Sequence, residues 1–297
     1  MLKLNLEFIK YLCSVLIYGS NGIVASHIDL ASYEIVFMRS VISVTFLLAL
    51  FKLTGGKFTF MNHRKDFCAL LISALSMGVS AMFLFEAYSQ VGVGVATLLF
   101  YCGPVFVMAL SPIMFGEKLT SKVLLGFGVV FLGQLLVNGR VVVSGGNLWG
   151  IFCGIMSAVT YVSMVSVSKK CAAITGLEKA TLQLIIAMIP PTIFLAVTQG
   201  FHISIPAGSW PALLLLGIFN IGIGTYLFYT SINFLPIQTV AVCGYLEPLA
   251  AVILSAVLLG EQMTLLQIIG AVLIIGGAIF CELSRGSSPA LKSNKEN

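Results

Sequence analysis

The sequence reads as an all-α membrane protein of ten transmembrane helices, arranged as two inverted five-helix repeats with both termini cytoplasmic. Three observations carry that reading. Apolar residues make up 59% of the 297 residues and charged residues 9%, against roughly 45–50% and about 25% in soluble proteins. The apolar residues fall in continuous runs, long enough to cross a bilayer. A stretch of the second half also repeats the first half, 144 residues further on and without a gap. Tyr101, Pro104, Ser111, Gly116, Glu117, Thr120, Gly126 and Gly133 return as Tyr245, Pro248, Ser255, Gly260, Glu261, Thr264, Gly270 and Gly277. Glu34 and Gly78 find Glu178 and Gly222 at the same offset, and Ser14 and Tyr18 find Ser157 and Tyr161 after a one-residue slip.

A span needs about 20 mostly apolar residues, and ten segments qualify: 8–27, 31–51, 67–88, 91–114, 121–138, 147–168, 178–198, 209–232, 236–259 and 264–283. The first follows Lys3 and Lys10 as a signal peptide would, but it runs to about Ile28 without a convincing cleavage site and reads as a helix. The second carries Arg39 and the third follows His63-Arg64-Lys65. The fourth contains Pro104 and ends at Gly116-Glu117, and the ninth contains Glu247-Pro248 and ends at Gly260-Glu261. Thr120 and Thr264 open the spans that follow as N-caps, with the two glutamates capping the short turns. The fifth and tenth hold glycines (Gly126, Gly128, Gly276, Gly277) and the sixth a GxxxG pair, Gly150 and Gly154, for close helix approach. Strands are excluded because the runs do not alternate and open sheets do not survive in lipid. The units are 1–144 and 145–283, with 284–297 a disordered polar tail.

Orientation follows from the basic residues. With the N-terminus inside, all 16 except Arg39, within the second span, and Arg140, outside, fall on the cytoplasmic side, Lys169, Lys170 and Lys179 among them. Five crossings per unit make the second copy start on the opposite side, so the two are related by a pseudo-two-fold axis in the membrane plane. One packing can then serve as an inward gate and its partner as an outward gate.

Polar residues inside the spans are the candidate site. Glu247 stands mid-span, where an acid costs about 2.5–3.5 kcal/mol on insertion scales. Pro248 beside it frees the carbonyl of Gly244 and marks a hinge, as does Pro104 in the first copy. Glu247 is either a substrate and coupling site or an interhelical lock; its counterpart is Gly103, so one half alone carries the acid. Arg39 either binds a carboxylate ligand or forms an ion pair with Glu34 or Glu86. Glu86, near the outer end of the third span, is a substrate contact or a solvated interfacial acid. Tyr18 and Asn21 share a face with Ser14, and Tyr161 shares one with Ser157 and Ser168. The eighth span adds Asn220, Tyr226, Tyr229 and Asn233, and the fourth and ninth add Tyr101 and Tyr245. Such faces either line a wet cavity suited to a small amphipathic or aromatic molecule or bind helices together. Tyr11, Tyr33 and Tyr88 fit the interfacial belt.

Other chemistries fall away. Three scattered histidines (27, 63, 202) make no metal site, no HExxH, GxSxG or GxxxxGK string occurs, and no cofactor is implied. The seven cysteines form no CxxC pair. Despite a net charge of +5, no basic run resembles a nucleic-acid arm. The deep segments hold no His, Asp or Lys to serve an intramembrane enzyme, and nothing points to ATP hydrolysis.

Pro104 with Gly116-Glu117, Glu247-Pro248 with Gly260-Glu261, and Arg39 resemble the drug/metabolite transporter superfamily, in its ten-helix branch with two EamA-type repeats, over about residues 8–283. The resemblance implies alternating access around a cavity lined by the first, third, fourth, sixth, eighth and ninth spans. Glu86 is not part of that pattern. The expected function is secondary transport of small organic metabolites, most readily amino-acid or aromatic-metabolite export across a plasma membrane, with a proton as candidate coupling ion. The alternatives are uptake or facilitated diffusion of a cationic amine and a non-transporting structural or sensory protein. Monomer and homodimer both fit.

Overall fold

The computed structural model describes residues 2–138, 147–198, 200, 203–258 and 264–284. The described residues are helical throughout, with no strand among them. Seven helical stretches are long and apolar enough to cross a membrane: Leu6–Ala25, Tyr33–Leu53, Arg64–Ala87, Leu148–Lys170, Gly176–Thr198, Ala207–Phe234 and Ile237–Leu258. Three shorter apolar helices, Gly103–Phe115, Ser121–Leu136 and Leu265–Cys281, overlap the fourth, fifth and tenth expected spans.

In chain order the helices are α1 (Leu2–Gly19), α2 (Asn21–Ala25), α3 (Ser32–Leu53), α4 (Arg64–Phe100), α5 (Gly103–Phe115), α6 (Ser121–Asn138), α7 (Leu148–Lys170), α8 (Gly176–Ala187), α9 (Ile189–Thr198), α10 (Trp210–Leu214), α11 (Gly224–Ser231), α12 (Ile237–Gly244), α13 (Leu246–Leu258) and α14 (Leu265–Ser284). A π-wound stretch, Leu215–Ile223, joins α10 to α11 in one rod. The interruptions follow the prolines. Pro104 and Pro248 cannot donate to the carbonyls of Phe100 and Gly244, four residues earlier, and the ladder stops there in both copies: α4 ends at Phe100 and α12 at Gly244.

One boundary differs from expectation. Residues 67–88 and 91–114 were expected as separate spans, but α4 continues through them to Phe100. In the second copy the matching connection, Ile232–Phe234, is a 3-10 turn followed by Pro236. The first copy has Gly92 at that position, which retains its N–H, so nothing terminates the helix.

The exterior is apolar and the interior partly polar, the reverse of a soluble protein. Ile113, Val197, Val257, Leu265 and Leu283 are 72–83% exposed and form a surface for lipid. Inside, Ser73 donates to Met164 O (2.8 Å) and Ser80 to Ser157 O (2.8 Å), and Gln183 donates to Ser73 Oγ (3.1 Å), tying α4 to α7 and α8. Such bonds replace the missing hydrophobic drive between helices in lipid.

Helix contacts recur with partners exchanged between the copies. A methyl group on Gly126 would stand 3.2 Å from Gly277 O, and one on Gly133 would stand 2.7 Å from Gly270 O, so α6 and α14 meet backbone to backbone. Gly270 and Gly277 are the counterparts of Gly126 and Gly133. Likewise Gly78 packs on Pro190 while Gly222, its counterpart, packs on Phe46, the counterpart of Pro190. Ser76 Oγ lies 3.0 Å from Ser163 Oγ, and Asn220 Nδ2 lies 2.6 Å from Ser20 Oγ. Tyr245 donates its hydroxyl to the carbonyl of its own counterpart, Tyr101, at 2.8 Å.

Candidate functional site

The candidate site forms where α1, α7 and the α12–α13 break converge. Gly19 lets α1 press against α13, where an added methyl would stand 2.7 Å from Glu247 O and 2.6 Å from Ala250 Cβ. This brings the Glu247 side chain, partly exposed inside the bundle, within electrostatic reach of Tyr11, Tyr18 and Tyr161. Arg39, on α3, is within reach of Tyr18 as well. Three phenols thus share the field of one carboxyl, and one of them that of a guanidinium.

Each tyrosine is fixed by the chain around it. Tyr18 Oη and Thr225 Oγ1 are 3.0 Å apart, linking α1 to α11. The Tyr161 ring lies edge-on to Phe100, with centroids 5.2 Å apart at 73°. Tyr11 donates to Val240 O at 2.7 Å and packs 5.6 Å from the Phe228 ring. The interfacial-belt reading of Tyr11 is therefore corrected: the residue is 0% exposed, because α1 begins at Leu2 and puts it at mid-helix. The spacing held the signal, since Tyr11 precedes Ser14 by three residues and Tyr18 by seven, on the same face.

The other expected site residues fall into separate groups. Tyr245 is 0% exposed, and its bond to Tyr101 O satisfies a carbonyl at the α4–α5 break, so the pair seals the core. Asn220 donates to Ile17 O (3.1 Å) and Ser20 Oγ (2.6 Å), bracing the junction of α1 with α2. The side-chain oxygens of Asn220 and Asn21 are buried with no hydrogen-bond partner among the described residues. Tyr226 is partly exposed on α11, packed against the main core. Pro104 and Pro248 sit at the matched breaks.

Glu86 belongs to a different network, where it accepts from Gln90 Nε2 and from Trp149 Nε1, each at 3.0 Å. Asn147 donates to Gln90 at 2.8 Å and caps α7 through Trp149 N at 3.0 Å. Glu34 accepts from Ala31 N at 2.9 Å, at the start of its own helix. Glu117 was expected to cap its own turn but reaches the other copy, accepting from Ile237 N (2.8 Å) and Gln238 N (3.2 Å) to cap α12. Pro236 explains this: the start of α12 exposes amides that no preceding helix satisfies, and a carboxylate is the favoured partner there. Glu261, its counterpart, and Arg140 lie outside the described residues. Thr120 accepts from Val123 N at 3.3 Å and Thr264 from Gln267 N at 3.4 Å, as N-caps do.

The sequence reading also missed Lys179. Counted as a cytoplasmic loop-side charge, it is 0% exposed in the first turn of α8. Its ammonium donates to Ser168 O (2.7 Å), Cys171 O (3.3 Å) and Asn233 Oδ1 (3.1 Å) and lies 5.9 Å from the Tyr229 ring centre. Four partners offset the loss of water.

Fold and site together define a multi-pass helical membrane protein with polar side chains in its interior. The EamA-like transporter family matches the chain twice, over residues 6–139 and 148–282, and the chain belongs to that family. It is 26% identical over 276 residues to the uncharacterized transporter YxxF of Bacillus subtilis, covering 91% of this chain and 87% of that one. An uncharacterized transporter of Archaeoglobus fulgidus is 28% identical over 274 residues, with 88% and 95% covered. The fold also matches a solved crystal structure with a TM-score of 0.82 at 16% identity, covering 94% of this chain and 98% of that one.

Proposed function

We propose that the protein is a secondary transporter of small organic metabolites, exporting amino acids or aromatic metabolites across the plasma membrane by alternating access. Ten crossings form two inverted units, 1–144 and 145–283, with both termini cytoplasmic. The observation that carries this reading is the exchange of partners: Gly126 on Gly277 and Gly133 on Gly270, Gly78 on Pro190 and Gly222 on Phe46. Reciprocal contacts of this kind are what a two-fold relation between equal units produces. The contact of Tyr245 with its own counterpart Tyr101 supports such a relation. Two equal packings are what a carrier needs to open on either side of a central site.

Glu247 is the one acid facing the tyrosine cluster among the described residues, and it serves as substrate and coupling group. Uptake or facilitated diffusion of a cationic amine is the second reading, favoured by the phenols grouped about that carboxyl. The test is flux into liposomes holding purified protein, with a labelled panel of amino acids and amines, with and without an imposed pH gradient. Saturable, gradient-dependent flux of one compound class supports the reading. Flux that ignores the gradient makes the protein a facilitator, and no flux of any compound by folded protein favours a structural or sensory role.

A further inference from the structure

The helix breaks of the two copies differ at three of five positions, two of which, Phe100/Gly244 and Gly103/Glu247, lie one turn apart. The first copy reads Phe100-Tyr101-Cys102-Gly103-Pro104 and the second Gly244-Tyr245-Leu246-Glu247-Pro248. In the first copy that face is closed. The Phe100 ring abuts Tyr161 at 5.2 Å, and a methyl on Gly103 would stand 2.8 Å from Tyr161 Cδ1. In the second copy the phenylalanine is replaced by Gly244. A methyl there would have two heavy atoms beyond its own neighbourhood within 4 Å, Tyr11 Oη and Tyr161 Oη, each at 3.9 Å. The second copy thus leaves a methyl-sized alcove at the position where the first has a phenyl ring. Two phenol oxygens border it, and Glu247 follows one turn along the same face.

We propose that Gly244 is a specificity-determining residue: it opens an alcove beside Glu247 that receives the protonated amino group of the substrate. The proposal rests on the reading of Glu247 as a substrate contact. The chemistry of the walls selects the ligand. Tyr11 Oη spends its proton on Val240 O at 2.7 Å, so it offers lone pairs to the alcove. An ammonium brings three donors to two phenol oxygens and a carboxyl and is attracted by the ring faces. A carboxylate or phosphate would meet like charge, and an apolar group would strand the polar atoms. A side chain at 244 would occupy the space the amino group needs.

The decisive experiment does not depend on knowing the substrate. Gly244→Cys, in the purified full-length chain, is treated with a trimethylammonium-ethyl methanethiosulfonate and with its sulfonate analogue, the wild type giving the baseline for native cysteines. The expected result is one additional label whose cationic-over-sulfonate rate ratio exceeds that of a free thiol such as mercaptoethanol about ten-fold or more, with the excess lost in the Gly244→Cys/Glu247→Gln double variant. No added label on folded protein, or a rate ratio equal to that of the free thiol, would overturn the alcove. Its role in selection is read from liposome flux of methylammonium and labelled amino acids. Gly244→Leu, with an unchanged melting temperature, should lose flux; wild-type flux in folded Gly244→Leu would refute the specificity role. If the wild type moves no compound, the transport reading fails while the labelling result still decides whether the alcove exists.

Discussion

The two proline breaks, at Pro104 and at Pro248, share a backbone solution and differ in what surrounds it. Around Pro104 the space is filled: Phe100 and Gly103 close on Tyr161, and Tyr101 lends its carbonyl to Tyr245. Around Pro248 the side chains differ: Gly244 leaves room for a methyl beside Tyr11 and Tyr161, and Glu247 adds a carboxyl. Duplication accounts for the scaffold, and departure from it accounts for the chemistry. A functional residue in such a chain is best sought where the copies disagree.

The largest effect is expected from erasing that disagreement. Glu247→Gln keeps size and polarity but removes the charge, and saturable flux of amine-bearing compounds should fall at least ten-fold, equivalent to about 1.4 kcal/mol. Liposome uptake checks this, with size-exclusion profiles reporting folding. Where the copies agree, substitution should instead affect stability. Gly126→Leu would drive a side chain into the backbone of α14, where even a methyl stands 2.6 Å from Cys281 Sγ. Overpacking of about 1–3 kcal/mol or more should appear as a lower melting temperature or loss of monodisperse protein.

Lys179→Ala is a third test, because it removes a donor from Ser168 O and Cys171 O inside the bundle. A loss of about 1–3 kcal/mol should lower the melting temperature, and Lys179→Met, which restores volume without the charge, should recover part of it. The smallest effect belongs to Tyr245→Phe. It deletes the bond to Tyr101 O and keeps the ring, which should reduce stability by about 0.5–1.5 kcal/mol and leave flux intact. A flux defect there as large as that of Glu247→Gln would erase the distinction between sealing and binding tyrosines.

Much of this was legible in the sequence because it rests on local rules. Continuous apolar runs marked the spans, Pro104 and Pro248 marked the breaks, and the glycines of the fifth and tenth spans marked helices able to approach closely, though not that α6 and α14 meet each other. What was not legible depends on which helix lies opposite. Pro236 and Gly92 occupy equal positions, yet one ends a helix and the other lets α4 run on. Glu117 looked like a cap for its own turn because its partners, the amides of Ile237 and Gln238, are distant in sequence. Tyr11 and Lys179 looked peripheral by position along the chain, and only tertiary packing makes each a fully enclosed residue.

The most direct test of the central claim is paired flux measurement on wild type and Glu247→Gln, reconstituted at equal, verified amounts and assayed with the amine and amino-acid panel across an imposed pH gradient. The account predicts saturable, gradient-dependent flux of an amine-bearing compound by the wild type and its loss in the folded variant. Equal flux by both proteins would contradict it, and would return Glu247 to a packing role at the α12–α13 break.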